Sequence, residues 1–237
     1  SGILMPMTAL PSPWGVGTLG AEARAFVDFL SAAGQSVWQL LPIGPTSYGD
    51  SPYQSFSSFA GNPYLIDLDD LAEEGLLEPG EYEGRFWGDD PARVDYGALY
   101  EGRFDVLRRA VERLESERAD ELRAFCEREG AWLDDYALFM AIKGDHGGAA
   151  LSTWEPGLRM RVPEDLAAAR SKLACEVRFW KGVQCLFFRQ WTRLHAYARE
   201  HGIELMGDLP IYVAEDSADL WAHPEQFQLD EDLRPRE

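Results

Sequence analysis

Apolar positions fall into two rhythms along this chain. Residues 2–10 form a short apolar run closed by Pro11-Ser12-Pro13, a length and boundary that predict a buried strand. Ala25, Phe26, Phe29 and Leu30 then recur at helical spacing within residues 21–33, and Gly34 supplies a stop. Residues 36–43 are apolar through Val37, Trp38, Leu40 and Leu41, the pattern of a strand covered on both faces. Strand, helix, strand implies a parallel pair. A third strand is read at residues 203–206, fed by a helical pattern over residues 175–201 and followed by Gly207-Asp208-Leu209-Pro210-Ile211-Tyr212-Val213.

The interval between the second and third strands far exceeds the ~2 to 6 residues of an ordinary αβ loop, so it includes an inserted subdomain. Its interior is expected to be mostly helical. Residues 104–128 are charged and periodic, and residues 132–143 place Leu133, Tyr136, Phe139 and Met140 on one face. Glycines and prolines in residues 78–91 and 144–163 mark its connections, and no internal repeat or low-complexity tract interrupts it. The fold class is α/β.

Composition narrows the function. At 237 residues and 46% hydrophobic the chain is long and apolar enough for a globular core. No apolar run approaches the ~18 residues of a membrane span. A formal charge of -19 repels a phosphate backbone, so neither a membrane nor nucleic acid is an expected partner. Cys126, Cys175 and Cys185 form no Cys-x-x-Cys pair and read as reduced core thiols. The opening Ser1-Gly2-Ile3-Leu4 carries no basic leader or cleavage pattern, which makes the cytoplasm the expected location.

The densest chemistry lies in Tyr48-Gly49-Asp50-Ser51-Pro52-Tyr53-Gln54-Ser55-Phe56, running on to Gly61-Asn62-Pro63-Tyr64. Aromatic rings, small hydroxyls and a carboxylate in one breaker-rich loop suit a sugar, whose apolar face packs on rings while polar groups fix its hydroxyls. An ordinary packed surface loop is the alternative. Gly15-Val16-Gly17-Thr18-Leu19-Gly20 matches the dinucleotide fingerprint between a strand and a helix, which keeps a nicotinamide- or flavin-dependent oxidoreductase as a rival. Against it, the second strand ends Leu41-Pro42-Ile43-Gly44, without the ribose-binding acid. Asp208 directly follows the third strand, where parallel α/β folds place functional side chains, although residue type alone favours a carboxylate capping the following segment or pairing with an arginine. Asp50, Asp67, Asp69 and Asp70 are candidates for paired-carboxylate chemistry or a solvated face. His146, His195, His201 and His223 show no ligand spacing and no serine sits in a nucleophile elbow, so neither a metal site nor serine-hydrolase chemistry is indicated; with the ribose-binding acid missing, no cofactor is expected either. Phe179, Trp180, Phe187, Phe188 and Trp191 read as packing.

Taken together, Leu10-Pro11-Ser12-Pro13-Trp14-Gly15-Val16-Gly17, Trp38-Gln39-Leu40-Leu41-Pro42-Ile43-Gly44-Pro45-Thr46, the loop at residues 48–67, Leu133-Asp134-Asp135-Tyr136-Ala137-Leu138-Phe139, residues 207–213 and Asp216-Ser217-Ala218-Asp219-Leu220-Trp221-Ala222-His223-Pro224 resemble the 4-α-glucanotransferases called amylomaltases or disproportionating enzymes. One departure is Pro6-Met7, where the family usually has His-Pro. The resemblance implies the N-terminal part of a (β/α)8 TIM barrel, strands 1–3, with a large helical insertion between strands 2 and 3. It divides the chain into a first barrel segment at residues 1–67, an inserted subdomain at 68–174 and a second barrel segment at 175–237.

The resemblance also implies retaining transfer of α-1,4-glucan segments between maltooligosaccharides, with the nucleophile and acid/base outside this chain and no catalytic residue in it. By position, Tyr53 would stack on glucose, Ser51 and Asp50 would shape the same loop, and Asp208 would hold sugar hydroxyls. Tyr48 and Tyr100 would contact glucan at a second site. Three strands cannot close a barrel, so the piece is expected to be inactive and unstable without its missing C-terminal half. A non-catalytic carbohydrate-binding fragment remains the alternative from a different class.

Overall fold

Proline, glycine and backbone pairing set where the strands stop. The computed structural model describes residues 1–47, 49–90, 92–234 and 236. The elements in order are β1 (Gly2–Leu4), α1 (Ala21–Ala32), β2 (Val37–Gln39), α2 (Leu68–Glu73), α3 (Tyr96–Glu117), α4 (Ala119–Asp145), α5 (Pro156–Arg159), α6 (Pro163–Lys172), α7 (Ala174–Glu200), β3 (Glu204–Met206) and α8 (Ala218–Ala222). The strands form a parallel sheet in the order β1-β2-β3, with Ile3 beside Trp38 and Trp38 beside Leu205.

The first strand is shorter than its apolar run. Met5 N–H still donates to Gln39 C=O at 3.0 Å, but Pro6 has no N–H to offer the ladder, and Met7–Ala9 wind into a 3-10 turn instead. The helices at 104–128 and 132–143 are also redrawn. Gly130 stays inside α4, and the break falls at Arg118, whose backbone leaves the helical region at φ -135° and ψ 36°.

The chain forms two compact units. The first comprises Ser1–Ile43, Gly61–Leu122 and Val183–Leu209, and the second Gly44–Ala60, Arg123–Gly182 and Pro210–Glu237.

In the first unit the sheet packs one face on helices. Trp38 is fully buried, meets Phe26 edge-on at 4.8 Å, and donates its indole N–H to Met5 C=O at 2.8 Å. The opposite face is open: Leu4 and Met206, in register through Gln39, are each 51% exposed. The expectation of a second strand covered on both faces therefore fails: the face carrying Trp38 is buried, whereas Val37 and Gln39 on the other face are half-buried. The segment at residues 61–67 is pinned by α7 and α3. Gln184 exchanges two hydrogen bonds with the Gly61 backbone, and Gln190 does the same with Asp67. Arg103, wholly buried, donates from Nη2 to the carbonyls of Tyr64 and Ile66 and lies 5.5 Å from the Trp87 ring centre.

The second unit is built around Phe139, Trp154 and Trp221, whose rings lie 5.2 to 5.9 Å apart. Arg161 stacks on the Trp221 indole at 4.3 Å and pairs with Asp135 at 2.7 Å.

Candidate functional site

The aromatic loop is a folded turn rather than a free tether. Thr46 and Ser55 pair across it, Ser47 N–H donates to Gln54 C=O at 3.0 Å, and Asp50 N–H donates to Ser47 C=O at 3.1 Å. Closing so tight a turn puts Gly49 at φ 90°, and Asp50 follows in the left-handed region at φ 55°, where aspartate is better tolerated than most residues. Ser51 turns its hydroxyl back to the Tyr53 N–H at 3.4 Å. Asp50 and Ser51 are half-buried while Tyr53 is 46% exposed, so a carboxylate, a hydroxyl and an aromatic ring share one turn. Burial pushes the Asp50 carboxyl up from its ordinary value.

The end of this loop is braced within the second unit by residues to which sequence reasoning gave no role at the site. Ala218 N–H donates to Phe56 C=O at 2.8 Å, and Ser58 N–H to Asp219 Oδ2 at 2.8 Å. Lys143, nearly buried, donates to Asp216 Oδ2 at 2.6 Å and to Ala149 C=O at 3.1 Å while lying over the Phe56 ring at 5.0 Å. Asp216 also accepts from Leu151 N–H at 3.0 Å, and Ser217 caps α8 by accepting from Leu220 N–H. A lysine inside a helical pattern gives no local sign that it holds a distant carboxylate, although Asp216-Ser217 does carry a helix-start signal.

Of the other expected site residues, Asp208 and Tyr100 belong to the first unit. Asp208 follows β3 by two residues and is half-buried. Tyr100 lies on α3, is largely exposed, and meets Phe104 edge-on at 6.2 Å. Tyr48 lies outside the described residues. Asp67, Asp69 and Asp70 are absorbed in packing. Asp67 accepts from Thr18 Oγ1 at 2.5 Å and caps α2 through Asp70 N–H, Asp69 accepts from Trp14 and Tyr82, and Asp70 takes a two-pronged pair from Arg24. Burial raises the Asp67 carboxyl above its ordinary value despite these donors.

The glycine fingerprint is explained by the same packing. A Cβ on Gly15 would lie 2.3 Å from Trp87 C=O, one on Gly17 2.0 Å from Met7 C=O, and one on Gly20 2.2 Å from the Asp67 carboxyl. All three glycines are therefore pressed against the protein itself, and the position before α1 faces the protein's own carboxylate rather than room for a pyrophosphate. Among the described residues no cluster of His, Cys, Asp and Glu is placed to hold a metal, and no helix is long and apolar enough to cross a membrane.

A short parallel sheet with mostly helical surroundings defines an α/β protein, and the braced aromatic, hydroxyl-rich turn is its candidate site. A family profile described as 4-alpha-glucanotransferase matches residues 5–233, and the chain belongs to that family. It is 54% identical to the 4-alpha-glucanotransferase of Thermus thermophilus, over 99% of this chain and 47% of that protein. To the 4-alpha-glucanotransferase of Clostridium butyricum it is 44% identical, over 98% of this chain and 48% of that protein. Among solved structures, the amylomaltase of Streptococcus agalactiae in complex with acarbose superposes with a TM-score of 0.96 at 46% identity, over 99% of this chain and 48% of that one. The chain thus spans about half the length of the relatives it matches.

Proposed function

We propose that this chain is the portion of a 4-α-glucanotransferase that supplies sugar-binding loops to a retaining transfer of α-1,4-glucan segments between maltooligosaccharides. In that chemistry a carboxylate attacks the anomeric carbon while a neighbouring acid protonates the leaving oxygen. A sugar hydroxyl then takes the place of water as acceptor. The nucleophile and acid/base lie outside these residues. Tyr53 stacks on glucose, Asp50 and Ser51 hold the turn that presents it, and Asp208 binds sugar hydroxyls from the end of β3. Tyr48 and Tyr100 contact glucan at a second place. The strands are the first three of a (β/α)8 barrel, residues 68–174 are an insertion between the second and third, and the enzyme works in the cytoplasm.

The observation that carries this reading is the turn closed by Thr46 and Ser55, in which backbone groups of Ser47, Asp50 and Gln54 pair and Tyr53 is 46% exposed. It is supported by the family match and by the likeness to an amylomaltase in complex with acarbose. The test joins this chain to the C-terminal portion of the Thermus thermophilus relative and follows maltotriose disproportionation. The joined enzyme should release glucose and longer oligosaccharides, and Tyr53→Ala should lower transfer at least about tenfold with an unchanged melting temperature, as for loss of a ring contact. Unchanged transfer in Tyr53→Ala removes Tyr53 from the site, and transfer by the 237-residue chain alone overturns the placement of the essential carboxylates.

A further inference from the structure

A groove in the second unit has the make-up of a ligand site and contains none of Asp50, Ser51 or Tyr53. It encloses about 350 Å³, a size found among small-molecule clefts. Phe59, Trp132 and Phe227 line it together with Asp219, His223 and Gln226. The Phe59 and Trp132 rings lie 6.2 Å apart and only 18° from parallel.

These rings are held in place before any ligand arrives. Phe59 is 58% exposed, yet its N–H donates to Ser57 Oγ at 3.1 Å and the preceding Ser58 N–H is held by Asp219. The Trp132 indole N–H donates to Glu129 Oε2 at 2.9 Å. An exposed aromatic ring on a fixed backbone loses little conformational freedom when it is covered.

The chemistry of the lining selects the ligand. Asp219 places a carboxylate at the groove in a chain of charge -19, which disfavours an anion, while the Asp135 carboxylate beside it is paired with Arg161. A wholly apolar ligand would strip water from Asp219, His223 and Gln226 and give nothing back. A sugar satisfies both demands, with C–H faces for the rings and hydroxyls for the carboxylate, imidazole and amide. We propose that this groove, centred on Phe59 and Trp132, binds a stretch of α-1,4-linked glucose, an inference that rests on the glucanotransferase reading for the identity of the sugar.

The test is affinity electrophoresis of the 237-residue chain, carrying Met206→Lys throughout to suppress self-association at the open sheet face, through native gels with and without amylose. The parent should be retarded by amylose. Phe59→Leu, which keeps apolar bulk but removes the ring, should weaken retardation about tenfold. Phe59→Tyr should restore it to within about twofold. Phe59 is largely exposed, so circular dichroism should be unchanged in every variant. A parent that amylose does not retard, or a Phe59→Leu variant retarded as strongly as the parent, overturns the proposal. The functional reading fails separately, through absence of maltotriose transfer by the joined enzyme.

Discussion

The Gln190 carboxamide pairs with both backbone groups of Asp67, accepting from its N–H at 2.7 Å and donating to its C=O at 3.0 Å. Gln184 repeats the arrangement at Gly61, with distances of 2.8 and 3.0 Å. Each glutamine acts as one rung of a strand for an irregular segment, so the loop that enters α2 has its buried polar groups satisfied by a helix.

Gln190→Leu is expected to leave both Asp67 backbone groups buried without partners. The cost should be roughly 2 to 4 kcal/mol in urea unfolding, from two unsatisfied groups. A loss below about 0.5 kcal/mol would mean that water replaces the amide.

Gly20→Ala tests the structural origin of the glycine fingerprint. The new methyl would lie 2.2 Å from the Asp67 carboxyl, whose position Thr18 and α2 already fix. A destabilisation of roughly 1 to 3 kcal/mol is expected, as for overpacking. Calorimetric titration of the parent with a nicotinamide dinucleotide should give no heat of binding. A neutral substitution or a saturable heat would return the fingerprint to a cofactor role.

Acid should release one brace of the first unit. Arg113 hydrogen-bonds Glu81 at 2.6 and 3.0 Å, Arg109 adds a third contact, and together they hold its carboxyl down to about 2 from an ordinary 4.5. Because the folded value is depressed, this stabilisation is present above about pH 4.5 and is lost as pH falls toward 2. Glu81→Gln should cost about 1 kcal/mol at neutral pH and flatten the stability profile over that window. An unchanged profile in the variant would assign the acid sensitivity to other carboxylates.

The uncovered sheet face should govern behaviour in solution. Leu4 and Met206 leave apolar surface open beside Gln39, so the isolated chain is expected to self-associate. Met206→Lys should shift sedimentation toward the monomer without changing helix content. Equal association in parent and variant would place the sticky surface elsewhere.

Helix α1 and the parallel order of the strands were legible because Phe26, Phe29 and Leu30 keep a strict helical period and Gly34 ends it at φ 68°. The first strand was overread because an apolar run does not record that Pro6 interrupts the ladder. The α3–α4 break was misplaced for the opposite reason: Gly130 costs a long helix only about 1 kcal/mol, while Arg118 carries no breaker signal at all. At the candidate site, Asp50, Ser51 and Tyr53 stood out by crowding in sequence. Lys143 did not, and Asp216 entered only as part of a family-like motif, since the two act on each other from far along the chain; Gln184 and Gln190 in the first unit were missed for the same reason.

The sheet itself has a kinetic meaning. Trp38 finds Ile3 after one short helix, but its other neighbour, Leu205, arrives only after α2 to α7 have been synthesised. That pairing closes a very long loop and has high contact order, so its entropy is recovered late. On the ribosome, β1 and β2 should wait beside each other while the helical region forms, and the third strand should dock last as α7 brings it home.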